Sequence, residues 1–292
     1  MAERFDVLVQ GISEADALSL LFADTACVER PSDRYFAATR LGLCDCDTTL
    51  HALIRATQEL KVDELFDRIT RRKAVEALGR RKDPRAIPAL VAVLECSDAE
   101  AVINALSALT RIGWSPSDGE EDCLLGLFNG EVTQIRAAIQ VFTRLGIKSG
   151  RSQSAISGFC DHESLLVSGA ARACMASLYG EVGLMKPLVA SLTDLIAGKR
   201  RSAVIDLGDS GDESLLPVLV RAPVSMSLRA KSFLQIVEAN QSLSKTENQF
   251  LLERLLRDNP LLLDLRPEWQ CGSNAEEIEQ NLSHRDEARQ YG

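Results

Sequence analysis

The sequence predicts an all-α protein, an α-solenoid (superhelix) of about six short helix-pair repeats with atypical terminal caps. A segment that ends in an apolar residue and a glycine recurs along the chain, with its glycine at 42, 79, 113, 146, 180 and 208. The positions one, four and five before each glycine are apolar, which is the pattern of one buried helix face. Apolar residues make up 46% of the chain but aromatic residues only 5%, so small aliphatic side chains must fill the core.

The first helix of each predicted repeat ends at its glycine. The six segments are RYFAATRLG (34–42), RRKAVEALG (71–79), ALSALTRIG (105–113), AIQVFTRLG (138–146), RACMASLYG (172–180) and RRSAVIDLG (200–208). Glycine adopts the left-handed conformation that ends a helix without the steric cost of a Cβ. We therefore expect each of these glycines to be a left-handed C-cap. The position five before the glycine, such as Ala74, is mostly small and lets neighbouring helices approach closely.

A second apolar segment follows each glycine and predicts the partner helix. These segments are 48–58, 86–94, 123–128, 154–159, 184–192 and 214–220. Pro88, Pro187 and Pro217 come early in three of them, where the first turn of a helix tolerates proline. A single helix pair cannot bury both of its faces, so stacking of successive pairs must supply the core.

The predicted organisation is a single solenoid over residues 1–270. Residues 1–30 are expected to form an N-terminal cap, 225–259 a closing pair of helices, and 271–292 a polar, flexible tail. Acidic residues near the start, Glu3 and Asp6, argue against a signal peptide. No run of about 18 uncharged apolar residues is present, so no membrane insertion is expected. These features favour a cytoplasmic protein.

The charge balance argues against a nucleic-acid-binding protein. The net charge is −9, whereas proteins that bind nucleic acids need many cations to neutralise phosphates. One basic cluster stands out on this acidic background. It consists of Arg68, Arg71, Arg72, Lys73, Arg80, Arg81, Lys82 and Arg85.

No familiar catalytic or metal-binding motif is present. The eight cysteines include no C-x-x-C pair, and most occupy apolar helical positions, where they act as small hydrophobic residues. The three histidines, at 51, 162 and 284, are far apart in sequence. G-x-G-x-x-G, Walker A and H-E-x-x-H motifs are also missing. We expect no metal site and no self-contained hydrolase or kinase centre.

Two stretches resemble a known family. DRYFAATRLG at 33–42 and the run from DRITRRKAVEALG to RIGW at 67–114 are similar to phycobilin lyases of the E/F type, which are HEAT-like repeat proteins. The resemblance is strong over 33–114 and weaker over 131–223. Length and the stretch around 71–90 are most similar to lyases that serve phycoerythrin. Thr39 and Arg40 depart from the family, which often has tryptophan after the alanine pair.

The resemblance implies an enzyme that attaches a linear tetrapyrrole, here a phycoerythrobilin-like bilin, to a cysteine of a phycobiliprotein subunit. The bilin would be the substrate, with no intrinsic cofactor. A second lyase subunit or a chaperone would be a further partner. The nucleophile would belong to the phycobiliprotein, so Cys44 and Cys46 are not expected to carry the bilin.

Two acidic residues and five arginines are the main candidates for bilin contacts. The candidates for the bilin propionates are Arg34, Arg71, Arg72, Arg80 and Arg81. Arginine suits this role because its planar fork matches a carboxylate. The alternative is a solvated helix face, with Arg34 pairing Asp33 or Asp67. Either of these aspartates could hold the pyrrole nitrogens and act as a general acid, or both could be plain N-caps.

Three other residues complete the predicted site. Tyr35 and Trp114 are rare aromatic residues that could stack on a pyrrole ring. The alternative for Trp114 is that it plugs the end of its repeat. Asn104 is polar within an apolar helix, so it could form a hydrogen-bond ladder between repeats or contact the bilin lactam.

Two other functions share the predicted fold. One is a non-catalytic adaptor or chaperone of phycobilisome assembly or degradation. The other is a protein-binding scaffold unrelated to bilins. Fold alone does not distinguish these functions from bilin transfer.

Overall fold

The computed structural model describes residues 9–24, 27–30 and 32–257. Within these ranges the secondary structure consists of α-helices and short 3₁₀ turns, without strands. The start of the predicted N-terminal cap and the predicted tail, 271–292, lie outside the described residues. The chain divides into two compact units, Met1–Leu184 and Met185–Gly292.

Unit 1 contains ten described helices. They are α1 (Glu14–Leu21), α2 (Ser32–Leu41), α3 (Asp47–Glu59), α4 (Leu65–Arg81), α5 (Ile87–Val93), α6 (Ala99–Ile112), α7 (Asp118–Gly126), α8 (Val132–Leu145), α9 (Gly150–Ser157) and α10 (Leu165–Tyr179). From α4 onward, long first helices alternate with shorter second helices. The first helices α2, α4, α6, α8 and α10 pack side by side in chain order.

Unit 2 continues the same alternation. Its described helices are α11 (Lys186–Ala190), α12 (Ala197–Asp209), α13 (Leu216–Arg221), α14 (Met226–Ala239) and α15 (Thr246–Arg257). The first helices α12 and α14 pack against each other, and α15 packs against α14 and α13. Stacked helix pairs are thus present in both units, and the predicted α-solenoid is confirmed.

The core lies where the sequence pattern predicts it. The residue four before each repeat glycine is buried in all six segments: Ala38, Val75, Leu109, Phe142, Ala176 and Val204. Among the described residues, Phe142 and Phe233 are the largest side chains without solvent exposure. The rest of the core is mainly alanine, leucine and valine, so the helices are held together by close contact of small side chains.

Three of the six repeat glycines are the left-handed C-caps that the sequence predicts. Gly113, Gly146 and Gly180 have φ angles of 82°, 68° and 77°. The backbone N–H of each donates to carbonyl groups in the last turn of its helix. A residue with a Cβ would be strained at these positions.

The C-cap prediction is wrong for Gly42, Gly79 and Gly208, none of which has a positive φ. Gly79 lies inside α4, and the left-handed C-cap of this helix is Lys82, with a φ of 55°. These glycines instead allow successive first helices to touch. A Cβ on Gly79 would lie 2.6 Å from the Cα of Ala108. The same motif therefore has two structural roles, a helix end in some repeats and close helix packing in others.

The seven cysteines within the described residues are free thiols. Cys44, Cys160 and Cys174 are buried, and Cys271 lies outside the described residues. Within the described ranges, no cluster of three or more potential metal ligands is found. No described helix combines the length and the apolar character that crossing a lipid bilayer requires.

Candidate functional site

Arginines near the start of the first helices bind the end of the preceding helix. Arg34 Nε donates to the carbonyl oxygen of Leu21 at 3.2 Å, and Arg71 Nε donates to that of Thr57 at 2.7 Å. Both arginines are almost fully buried, at 3% and 8% exposure. The last carbonyls of a helix carry partial negative charge and lack partners within the helix, so a cation stabilises them.

The same contact recurs in unit 2. Arg200 Nη1 donates to the carbonyl oxygen of Asp194 at 2.6 Å, and Arg229 Nη1 donates to that of Val220 at 2.6 Å. Arg34, Arg71 and Arg200 all lie eight residues before the repeat glycine. This alignment is a sequence signal for a repeated structural arginine.

Arg34 also pairs with Asp67, one of the alternatives that the sequence left open. The distance from Arg34 Nη1 to Asp67 Oδ1 is 2.6 Å, and Asp67 Oδ2 accepts a hydrogen bond from the backbone N–H of Lys61 at 3.0 Å. The pair joins the start of α2 to the start of α4. Asp67 is therefore held in one orientation by two donors.

Asp33 lies apart from this pair. Its carboxylate accepts a hydrogen bond from the backbone N–H of Arg30 at 3.1 Å and lies 3.6 Å from the Arg30 guanidinium. Asp33 and Asp67 both lie in the first turn of their helices. The alternative that these aspartates are N-caps is therefore wrong. Each carboxylate accepts a hydrogen bond from an N–H that precedes the helix, and not from one in its first turn.

A cavity of about 440 Å³ opens at the Arg34–Asp67 pair in unit 1. It is lined by Phe22, Ala23, Asp24, Arg34, Leu60, Lys61, Glu64, Phe66 and Asp67. The volume falls within the range of about 300–1,000 Å³ that is typical of small-molecule sites. Four apolar and five charged residues form this lining, which suits a molecule that carries an apolar ring system, carboxylates and N–H donors.

An apolar strip lies on the first turns of α4 beside this cavity. Leu65, Phe66 and Ile69 are 52%, 39% and 36% exposed. Phe22 also lines the cavity, and the Arg55 guanidinium lies 4.3 Å from the centre of its ring. The phenyl ring of Phe22 is thus fixed by a cation–π contact.

Arg71 and Arg72 are held by protein groups. Arg71 Nη1 donates to the Cys96 sulfur at 2.8 Å, and Arg72 Nε donates to Asp98 Oδ2 at 2.8 Å. Burial raises the pKa of Asp98, but hydrogen bonds and the charge of Arg72 outweigh it, so the net pKa lies below its ordinary value. The same pairing raises the pKa of Arg72. Their predicted bilin contacts remain predictions.

The other predicted residues lie outside the lining of the cavity. Tyr35 is half-buried, with Lys73 Nζ 5.1 Å from its ring centre. Arg80 is half-buried and has protein partners. Arg81 Nη1 donates to the Thr49 hydroxyl at 2.7 Å, which ties α4 to the start of α3.

Trp114 follows the end of α6, and Asn104 lies within that helix. Trp114 is only 3% exposed. Hydrogen bonds from the backbone N–H and the hydroxyl of Ser117, with a smaller contribution from the Trp114 indole, lower the pKa of the Glu120 carboxyl. The position of Trp114 agrees with a plug at the end of the repeat. Asn104 is half-buried, and its amide has no hydrogen-bond partner among the described residues, so the expected ladder is not formed.

Among the predicted site residues, the cavity brings together only Arg34 and Asp67. Sequence reasoning missed Phe22, Lys61 and Phe66, which also line it. Phe22 and Lys61 lie just after or between helices, outside the repeated pattern. Phe66 is near the start of α4, one turn before the aligned segment. The repeat pattern of the sequence therefore does not identify these residues as part of a site.

Comparisons with known proteins agree with this architecture. A family described as HEAT repeats matches residues 62–143. The chain is 31% identical over 220 residues to the bilin biosynthesis protein PecE of Nostoc sp. (strain PCC 7120 / SAG 25.82 / UTEX 2576), covering 70% of this chain and 81% of that protein. The chain belongs to the E/F-type phycobilin lyase family.

Two further proteins are similar to this chain. The uncharacterized phycocyanin operon protein Y of Pseudanabaena tenuis (strain PCC 7409) is 29% identical over 87% of this chain, which spans 60% of that longer protein. The solved complex of CpcE and CpcF of phycocyanin lyase from Nostoc sp. PCC7120 has a TM-score of 0.70 at 24% identity. It covers 84% of this chain and 95% of the matched chain, which shows the fold.

Proposed function

We propose that this E/F-type family member is a bilin lyase that binds a phycoerythrobilin-like linear tetrapyrrole. It attaches the bilin through a thioether bond to a cysteine of a phycobiliprotein subunit, with phycoerythrin as the first candidate. The observation that carries this proposal is the cavity at the Arg34–Asp67 pair, whose lining combines two aromatic side chains with a fixed ion pair.

The cavity matches the chemistry of a bilin. Lys61 is an exposed cation at its edge and is placed to attract a propionate carboxylate. The Asp67 carboxylate is an acceptor for pyrrole N–H groups and stabilises a protonated bilin by its charge. Phe22 and Phe66 offer ring faces and edges for the flat conjugated system.

The reaction needs no nucleophile from this chain. The thiolate of the acceptor cysteine donates its electron pair to the ethylidene carbon of the bilin A ring, so that a C–S bond forms. The conjugated system accepts the displaced electron pair and a proton, and nothing is oxidised or lost. The lyase holds the bilin in one orientation, which raises the effective concentration of the reacting groups. The carboxylate of Asp67 would favour the protonated, more electrophilic bilin.

A second lyase subunit is part of this proposal. The solved structure with the similar fold is a complex of CpcE and CpcF. We infer that this chain also works with a related subunit, which would supply part of the contact with the phycobiliprotein.

A non-catalytic adaptor or chaperone is the second candidate. The observation in its favour is that Arg71 and Arg72 already bind protein acceptors. Such a protein would bind a bilin without forming the thioether bond.

Co-expression distinguishes these functions. The chain is produced with a phycoerythrobilin-synthesis pathway, candidate apo-subunits and, in parallel cultures, related lyase subunits. Bilin fluorescence that stays on a subunit in a denaturing gel supports the lyase. Bilin that binds the chain but is not transferred to a subunit, whichever apo-subunit and lyase subunit are present, supports the adaptor. No bilin absorbance on either protein contradicts both functions and favours a scaffold.

A further inference from the structure

Two cysteines lie in the connection between α2 and α3, outside the lining of the bilin cavity. Cys44 is only 8% exposed, whereas Cys46 is exposed and immediately precedes α3. The proposed function gives neither thiol a role, because the nucleophile of that reaction belongs to the phycobiliprotein. The two cysteines are separated by a single residue, Asp45.

Both thiols contact the same carboxylate. The Cys46 thiol donates a hydrogen bond to Glu14 Oε1 at 2.9 Å, and the Cys44 thiol also donates to the Glu14 side chain. Glu14 is the first residue of α1. One acidic side chain from another helix therefore holds the two thiols on the same side of the connection, which is the arrangement that a reaction between them requires.

The backbone of the connection is held in a shape that suits a disulfide. Arg81 Nη2 donates to the carbonyl oxygen of Cys46 at 3.1 Å, and the Thr49 hydroxyl donates to the same oxygen at 2.8 Å. The chain also bends at Cys46. Two residues of extended chain span about 7 Å at most, and a disulfide needs Cα atoms about 4.4–6.8 Å apart. A bent connection of this length therefore lies within reach of a disulfide.

The surroundings of Cys44 favour its protonated form. Burial raises the pKa of this thiol, and the guanidinium of Arg40, whose Nη1 lies 3.2 Å from the sulfur, partly offsets the rise. The charge of Glu14, the nearby Cys46 and the hydrogen bond to Glu14 add to the rise in pKa. Only a thiolate attacks a disulfide, so the exposed Cys46 reacts first and the buried Cys44 second.

We propose that Cys44 and Cys46 form a reversible disulfide by exchange with a low-molecular-weight disulfide such as oxidised glutathione. The Cys46 thiolate attacks one sulfur of this compound, so that a mixed disulfide forms and one thiolate leaves. The Cys44 thiolate then attacks the Cys46 sulfur, and the second thiolate leaves. The two cysteine protons pass to the two leaving thiolates. The cysteines lose two electrons in total, which reduce the small disulfide to two thiols. This exchange does not depend on the proposed bilin transfer.

Oxidised glutathione added to the reduced full chain tests this pairing. After free thiols are alkylated, trypsin releases residues 41–55, a peptide with no cysteine besides these two. Mass spectrometry is expected to show this peptide with two hydrogen atoms fewer and without alkyl groups, and dithiothreitol should restore the form with two alkyl groups. The disulfide should form about tenfold or more faster at pH 9 than at pH 7, because the thiolate fraction rises with pH.

Two variants separate the roles of the groups. Cys44→Ser should accumulate the mixed disulfide of Cys46 with glutathione, because the second exchange step is missing. Glu14→Gln should form the internal disulfide about twofold or more faster, because removing the negative charge favours the thiolates. Glu95→Gln, at an exposed position on another connection, is the matched control and should leave the rate unchanged. Circular dichroism of each variant checks that the helices are retained.

The pairing is overturned if the unmodified chain keeps glutathione on Cys46 and forms no internal disulfide. A disulfide between two chains through Cys46 has the same consequence. Equal rates for Glu14→Gln and the unmodified chain, with intact helices in both, would contradict the shared carboxylate on which the proposal rests.

Discussion

At the residue scale, the arginines of this chain join helices. Arg34, Arg71, Arg200 and Arg229 each donate to a carbonyl oxygen at or just after the end of the preceding helix. Sequence reasoning identified Arg34 and Arg71 as important but assigned them to a ligand. Residue type and spacing identify a cation, but whether it reaches solvent, a ligand or a carbonyl depends on how the helices pack.

Replacing Arg71 with alanine should reduce stability. The substitution removes a charged hydrogen bond to the Thr57 carbonyl, which stays buried without a partner, so we expect a loss of about 2–4 kcal/mol in the free energy of unfolding. Urea denaturation followed by circular dichroism measures the change. Arg111→Ala, on an exposed position of α6, should change stability by no more than about 0.5 kcal/mol. Equal stability of the two variants would refute the structural role of Arg71.

The Arg72–Asp98 pair should give a pH-dependent contribution to stability. The pKa of Asp98 is lower in the folded chain than its ordinary value of 3.8, so the unfolded chain binds the proton more tightly. The stability that this causes is present above pH 3.8 and is lost as the pH falls through the folded pKa. Asp98→Asn should therefore be less stable than the unmodified chain at pH 6. The difference should diminish in acid, and a difference that is constant from pH 6 to pH 2 would contradict this assignment.

At the element scale, the sequence predicted the repeat pattern well because helical periodicity reports burial directly. The residues four before the glycines, such as Val75 and Phe142, are buried as expected. The role of each glycine was less predictable. A C-cap and a close helix contact both require the absence of a Cβ, so Gly79 and Gly113 look alike in sequence but differ in φ and in their neighbours.

Gly79→Ala should destabilise the chain although alanine favours helices. In an open helix this change would stabilise by about 1 kcal/mol. At Gly79 the new Cβ would meet the backbone of Ala108 at 2.6 Å, and overpacking costs about 1–3 kcal/mol. The midpoint of thermal unfolding measures the result. Gly119→Ala in α7 is the control, since a Cβ there has no neighbour within 4 Å, and it should not lower the midpoint. A higher midpoint for Gly79→Ala would show that the helices do not touch there.

At the scale of the whole molecule, the described residues of each unit line a cavity. Unit 1 holds the charged cavity at the Arg34–Asp67 pair, and unit 2 holds an apolar groove whose lining includes Leu192, Leu195 and Val218. The sequence located the first only in part. It identified the two charged residues through their resemblance to a family motif, but the aromatic walls come from positions near helix ends that carry no repeat signal.

The central claim is that the unit 1 cavity binds the bilin, and a bilin titration tests it most directly. Phycoerythrobilin is added to the unmodified chain, to Lys61→Glu combined with Phe66→Ala, and to the control Lys148→Glu, at an exposed lysine outside the cavity lining. Absorbance and circular dichroism of the bilin give the dissociation constants. We predict binding about tenfold or more weaker in the double variant, equivalent to about 1.4 kcal/mol or more, and unchanged binding in the control. Equal affinity for all three proteins, with their helices intact, would contradict the claim.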